Sequence, residues 1–185
     1  LGVPRKRVLS QRDVVGAPRS VIPPLSDAGV EAISIGSNGR CVAPDVPPIF
    51  KWVDRARTDL PSAPAPGGAS GAPSKPPGGQ GMLVLWHEFG YGQLPSLQPT
   101  SPSPDSLIVP GHDQAAVYAW RNDNTGPPDN TSEVIANWKE VAGLFAGRGP
   151  SGATPKVIAS SLDDFVSTIQ SNTAALDSLP VVTAD

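Results

Sequence analysis

A proline- and glycine-rich tract, Asp59 to Gly81, divides this chain into two apolar parts and sets the first limit on what it can fold into. It reads Asp-Leu-Pro-Ser-Ala-Pro-Ala-Pro-Gly-Gly-Ala-Ser-Gly-Ala-Pro-Ser-Lys-Pro-Pro-Gly-Gly-Gln-Gly. So few large apolar side chains cannot offset the entropy of ordering the backbone. The tract is therefore expected to be a disordered insertion, residues 59–81, inside one partial α/β domain spanning residues 1–185. Its Pro61/Pro64 and Pro73/Pro76 spacings could serve an SH3-type or WW-type partner as polyproline II ligands. A tolerated loop insertion explains them more simply, because such spacings arise readily in proline-rich sequence. Much of the chain's total of 23 prolines and 19 glycines lies here and in a second segment, Leu94 to Pro110.

Outside these segments the apolar pattern alternates between strand and helix. Pro18 to Ala28 places Val21, Ile22, Leu25 and Ala28 at helical spacing, but Pro23 and Pro24 should kink or break that helix. Val30 to Ile35 has the composition of a strand, and Met82 to His87 that of a strand buried on both faces. Gly90 to Pro110 is expected as loop and Ala115 to Trp120 as a further strand. Thr131 to Ala146 is the best helix: Val134, Ile135, Trp138, Val141, Ala142 and Phe145 form one stripe, and Asn130 can cap it with Glu133 three residues on. Lys156 to Ala159 reads as a short strand. Ser161 can cap a last helix carrying Leu162, Phe165, Val166 and Ile169, and Pro180-Val181-Val182 begins another strand. This order favours an α/β sheet.

A net charge of -3 without any long basic stripe argues against a nucleic-acid partner. No apolar run approaches the roughly 20 residues of a membrane helix. The single cysteine, Cys41, cannot form an intrachain disulfide, and compartment and oligomeric state are not legible. Leu1 opens the chain and Met82 is the only methionine, so the sequence is expected to be part of something larger.

No phosphate-binding loop, His-Glu-x-x-His, Gly-x-Ser-x-Gly or paired Cys-x-x-Cys occurs. The wording of several segments is more informative. Gln11-Arg12-Asp13-Val14-Val15-Gly16-Ala17-Pro18-Arg19, Ile33-Ser34-Ile35-Gly36-Ser37-Asn38, Ala43-Pro44-Asp45-Val46-Pro47-Pro48-Ile49-Phe50-Lys51-Trp52, Val84-Leu85-Trp86-His87, Ala119-Trp120-Arg121-Asn122-Asp123-Asn124 and Val157 to Val166 occur in this order. Together they resemble the domain of unknown function 5054 family, which looks related to the catalytic domain of glycoside hydrolase family 38. The resemblance implies a partial seven-stranded β/α barrel of the glycoside hydrolase/deacetylase type. It also implies a parent protein of carbohydrate metabolism, an α-mannosidase-like enzyme acting on α-linked sugars by a zinc-assisted retaining mechanism.

In family 38 the segment similar to Asp13-Val14-Val15-Gly16 carries an aspartate that is both nucleophile and zinc ligand, so Asp13 is the expected catalytic and metal residue. A retaining glycosidase needs a second carboxyl group about 5–5.5 Å away as acid and then base. Asp123 is the candidate for that role by the resemblance. The family's zinc site also uses a His-x-Asp pair and a further histidine, which no segment here matches. Zinc is thus expected in the parent family and not in this chain, which is expected to be inactive alone. The competing expectation is a non-catalytic descendant, either a scaffold or a carbohydrate-binding surface. Residue by residue, turn or cap roles compete for Asp13 and Asp123, packing for His87, a loop pairing with Asp113 for His112, and core filling for Trp52, Trp86 and Trp120.

Overall fold

The computed structural model describes residues 5–14, 16–38, 40–42, 44–54, 81–87, 106–118 and 127–183. Asp123 and the insertion expected at 59–81 lie outside them, except for Gly81, which opens a strand. The described residues form a mixed α/β structure. Strands β1 (Val8–Val14), β2 (Ala32–Ser37), β3 (Ile49–Val53), β4 (Gly81–His87) and β7 (Val181–Val182) make one five-stranded sheet in the order β1-β2-β4-β3-β7. β1, β2 and β4 are mutually parallel. β3 runs antiparallel to β4, and β7 runs parallel to β3.

Alternating side chains supply two apolar faces. On one, Ala32, Ile49, Leu83 and Leu85 meet Leu107 and Val109, which belong to a hairpin of β5 (Ser106–Ile108) and β6 (Ala115–Val117). Phe165, Val166 and Ile169 of α3 (Leu162–Ser171) and Ala175 of α4 (Thr173–Ser178) complete that side. On the other, Ile33, Ile35, Phe50, Trp52, Met82 and Val84 pack on Ile22 of α1 (Ile22–Asp27). Being covered from both sides, β2 is buried at all six positions.

The proline-containing helix forms by starting late. A 3-10 turn, Arg19–Val21, precedes α1 and leaves Pro23 and Pro24 in the first helical turn, where missing N–H groups cost least. Gly29, at φ +77°, closes it with a Schellman pair, Val30 N–H to Leu25 C=O at 2.9 Å and Gly29 N–H to Ser26 C=O at 2.9 Å. α2 (Thr131–Leu144) begins where the sequence places it, with Asn130 accepting from the Glu133 N–H. Its apolar stripe, however, stays outside: no residue of α2 is buried, and Val134, Ile135 and Trp138 are about half exposed.

Other expectations fail locally. Lys156 to Ala159 forms no strand, and the segment expected as loop over Gly90 to Pro110 contains β5. Both follow from pairing, which decides strand formation more than composition does. Ser106–Ile108 finds a partner in β6, whereas the largely exposed 156–159 stretch belongs to no strand pair.

α3 is tied to the sheet through its first turn. Asp163 Oδ1 accepts the backbone N–H groups of Arg7 at 3.2 Å and Val8 at 2.9 Å, and Lys6 Nζ lies 3.4 Å from Oδ2. Asp163→Ala leaves two backbone donors unserved at the start of β1 and should lower stability by about 1–3 kcal/mol in urea unfolding. Ser161 caps the same helix, accepting from the Asp164 N–H at 3.2 Å and donating to its carboxylate at 2.8 Å. This hydroxyl, then the Ser161 backbone, holds the Asp164 carboxyl below its ordinary 3.8. With the folded value lowered, the stabilisation is present above 3.8 and is lost as pH falls through the folded value. Ser161→Ala should move the Asp164 titration upward, as read by carboxyl NMR.

Candidate functional site

The carboxyl ends of β1, β2 and β4 lie side by side, the place where open α/β sheets present ligand-binding residues. Asp13, Ser37, Asn38, Trp86 and His87 occur at these ends.

Asp13 is an extra residue in its strand. Arg12 pairs with Gly36 and Val14 with Ser37, so Asp13 is skipped and the ladder bulges. Strict alternation would put Val14 on the Arg12 side of the sheet. Instead Val14 packs with Leu9 against the α1 side, while Arg12 bonds to Ser34 on the opposite side. The bulge satisfies both demands by turning Asp13 into the left-handed region, φ 59°, with its side chain exposed. Aspartate tolerates that conformation better than most residues. Asn38, just beyond β2, donates from Nδ2 to Asp13 Oδ1 and from its backbone N–H to Val14 C=O at 2.9 Å. Nearby, Trp86 Nε1–H donates to Ser37 Oγ at 3.1 Å. The rim therefore offers a fixed carboxylate and a half-buried indole, the latter held by the buried Ser37 hydroxyl.

Beneath it lies a polar cluster that sequence reasoning did not single out. Arg12 donates to Ser34 Oγ at 2.9 Å and Ser34 C=O at 3.1 Å, Ser34 Oγ lies 3.0 Å from Tyr118 Oη, and the guanidinium sits 5.2 Å from the Tyr118 ring centre. Burial lowers the pKa of the Arg12 guanidinium, and Tyr118 works against that shift. The alternation of Arg12 with Val8 and Ser10 was the available signal, but a polar position in a strand normally reads as solvent-facing.

His87 does not face the rim. It is fully buried and packs edge-on against Tyr118, ring centres 4.9 Å apart at 82°. Trp52 is core. His112 sits away from the rim, in the hairpin connection, bonding Thr168 Oγ1 at 3.1 Å and Asn172 Nδ2 at 3.4 Å. Its neighbour Asp113 is exposed, with the nearest oxygen 4.0 Å from Nδ1. Trp120, like Asp123, falls outside the described residues.

A zinc centre takes three or four His, Cys, Asp or Glu ligands. Among the described residues no three such side chains come together, and Asp13 Oδ1 already accepts an amide donor. The described rim residues do not fit a zinc centre. No family model, curated protein or solved structure matches the chain.

The bulge makes a direct prediction. Asp13→Gly relieves the left-handed strain while losing the Asn38 bond and should stay within about 1 kcal/mol of the parent. Asp13→Val should lose about 1–2 kcal/mol or more, because a β-branched residue resists positive φ. Denaturant midpoints of the two variants check this ordering.

Proposed function

We propose that this chain is a glycoside-hydrolase-like domain of α-mannosidase type, whose rim at Asp13 holds the hydroxyls of an α-linked sugar without turning it over alone. The observation that carries this reading is the exposed Asp13 carboxylate, held in a left-handed bulge at the carboxyl end of a parallel strand by Asn38. A carboxylate accepts from paired sugar hydroxyls, and a neighbouring indole offers an apolar face to a pyranose ring. The segments quoted around Asp13, Ile33 and Ala43 suggest the substrate class through their resemblance to the domain of unknown function 5054 family, which looks related to glycoside hydrolase family 38.

In this reading the five-stranded sheet corresponds to later strands of a seven-stranded β/α barrel. A retaining reaction would also need an acid/base carboxyl about 5–5.5 Å from Asp13. Asp123, beyond the described residues, is the proposed partner. Turnover would require that partner in place, and binding would not.

Titration of the isotope-labelled chain with methyl α-mannoside, followed by NMR, tests the reading. Shifts should concentrate at Asp13, Ser37, Asn38 and the Trp86 indole N–H. Asp13→Asn should weaken binding about tenfold, the loss of one charge-assisted hydrogen bond. Equal shifts with an unrelated polyol, or none at these four residues, would refute it.

A further inference from the structure

We infer that His112 is a proton-operated switch in the connection between β5 and β6. Neutral, it joins the hairpin to Asn172, which caps both α3 and α4; charged, it lets go of Asn172 and takes Asp113.

The bonds around the ring fix which nitrogen carries the proton. Thr168 Oγ1 gives its one hydrogen to Phe165 C=O at 2.7 Å, so it can only accept from His112 Nε2, 3.1 Å away. Nδ1 is then the bare nitrogen, with a single lone pair. Asn172 Oδ1 accepts the Ala175 N–H at 3.0 Å as the cap of α4, which turns Nδ2 toward His112 Nδ1 at 3.4 Å and Gly111 C=O at 3.3 Å. Two amide hydrogens thus meet two acceptors. One of those acceptors is an imidazole, the side chain that ordinarily changes charge near neutral pH.

A proton added at Nδ1 removes the lone pair and sets one donor against another. A replacement acceptor is close by. Asp113 Oδ1 lies 4.0 Å from Nδ1 on a side chain that is 92% exposed, against 3% for His112, so the carboxylate can turn inward without disturbing packed neighbours. The other response, a flip of the Asn172 amide, would present Oδ1 to the ring but take the cap from Ala175. Phe165 packs beside the ring, centres 6.3 Å apart, and Gln114, Ser167 and Ser171 line the cleft next to it. Among the described residues Asp113 is the charged group that meets the ring. Of the other charges on these elements, Asp163 and Asp164 hold Arg7, Val8 and Ser161 at the first turn of α3, Arg7 stops at Ser167 Oγ, and Asp177 of α4 is exposed. The hairpin seated here brings Tyr118 onto Ser34 and Arg12, so the proton acts on the element that covers one face of the sheet.

The test follows the full isotope-labelled chain by NMR from about pH 8 to about pH 5, the range in which an imidazole ordinarily titrates. At the upper end the ring nitrogen shifts should show the Nε2–H tautomer. As the ring charges, the Asn172 side-chain NH2 pair, the Asp113 carboxyl carbon and the Gln114 amide should shift with the ring's own midpoint, while the Ala175 amide stays in place. His112→Gln, which cannot take the proton, should lose all of these shifts, and Asp113→Asn should keep the Asn172 response and lose that of Gln114. An Nδ1–H tautomer, a ring that stays neutral throughout, or a response at Ala175 in place of Asp113 overturns the inference. Should a variant fail to fold, the titration of the unaltered chain decides alone.

Discussion

A single residue of slippage in β1 governs the arrangement at the rim. Arg12 reaches the Ser34 and Tyr118 side of the sheet, and Val14 returns to the α1 side. A regular strand cannot send residues i and i+2 to opposite faces, since side chains alternate with period two. Skipping Asp13 resolves the conflict: the polar demand at Arg12 and the apolar demand at Val14 together eject the intervening side chain toward solvent. The position of the carboxylate is thus a by-product of packing on both sides of it.

The cluster below the rim shows why Arg12 cannot simply turn outward. Ser34 is fully buried in the inner strand β2, and its hydroxyl meets Tyr118, which brings the hairpin down onto the sheet through its ring and its Oη. Arg12 serves both, bonding Ser34 and lying over Tyr118. Desolvating a guanidinium is costly, and it persists where several acceptors surround it. The hairpin, the inner strand β2 and the edge strand β1 are joined by this one side chain. Asp163, accepting from Arg7 and Val8, fixes the other end of the same strand.

Much of the architecture was legible in the sequence, wherever a segment buries its own pattern. Met82 to His87 is apolar throughout because β4 lies between two covered faces, and the Asn130 and Ser161 caps are local chemistry readable from spacing alone. The strand at Val8–Val14 was not legible. Its Ser10, Gln11, Arg12 and Asp13 look like solvated loop until the buried cluster and the bulge are known, and neither leaves a periodic trace. The same reason limited the site. Asp13 came forward through resemblance, but Asn38 and Arg12 matter through pairings across strands 22 to 25 residues apart, which no window of sequence contains.

The described half-exposed stripe on α2 has a dynamic consequence. Stability within a domain is distributed, and segments that bury little can open without the rest. Among the described residues α2 buries no side chain completely, whereas β2 and β4 lie between two apolar faces and open only when both are broken. The backbone amides of α2 would accordingly exchange with solvent through local fluctuations, those of β2 and β4 through global unfolding. The chain would then have two time scales of protection, with β2, which precedes Asn38, on the slower one.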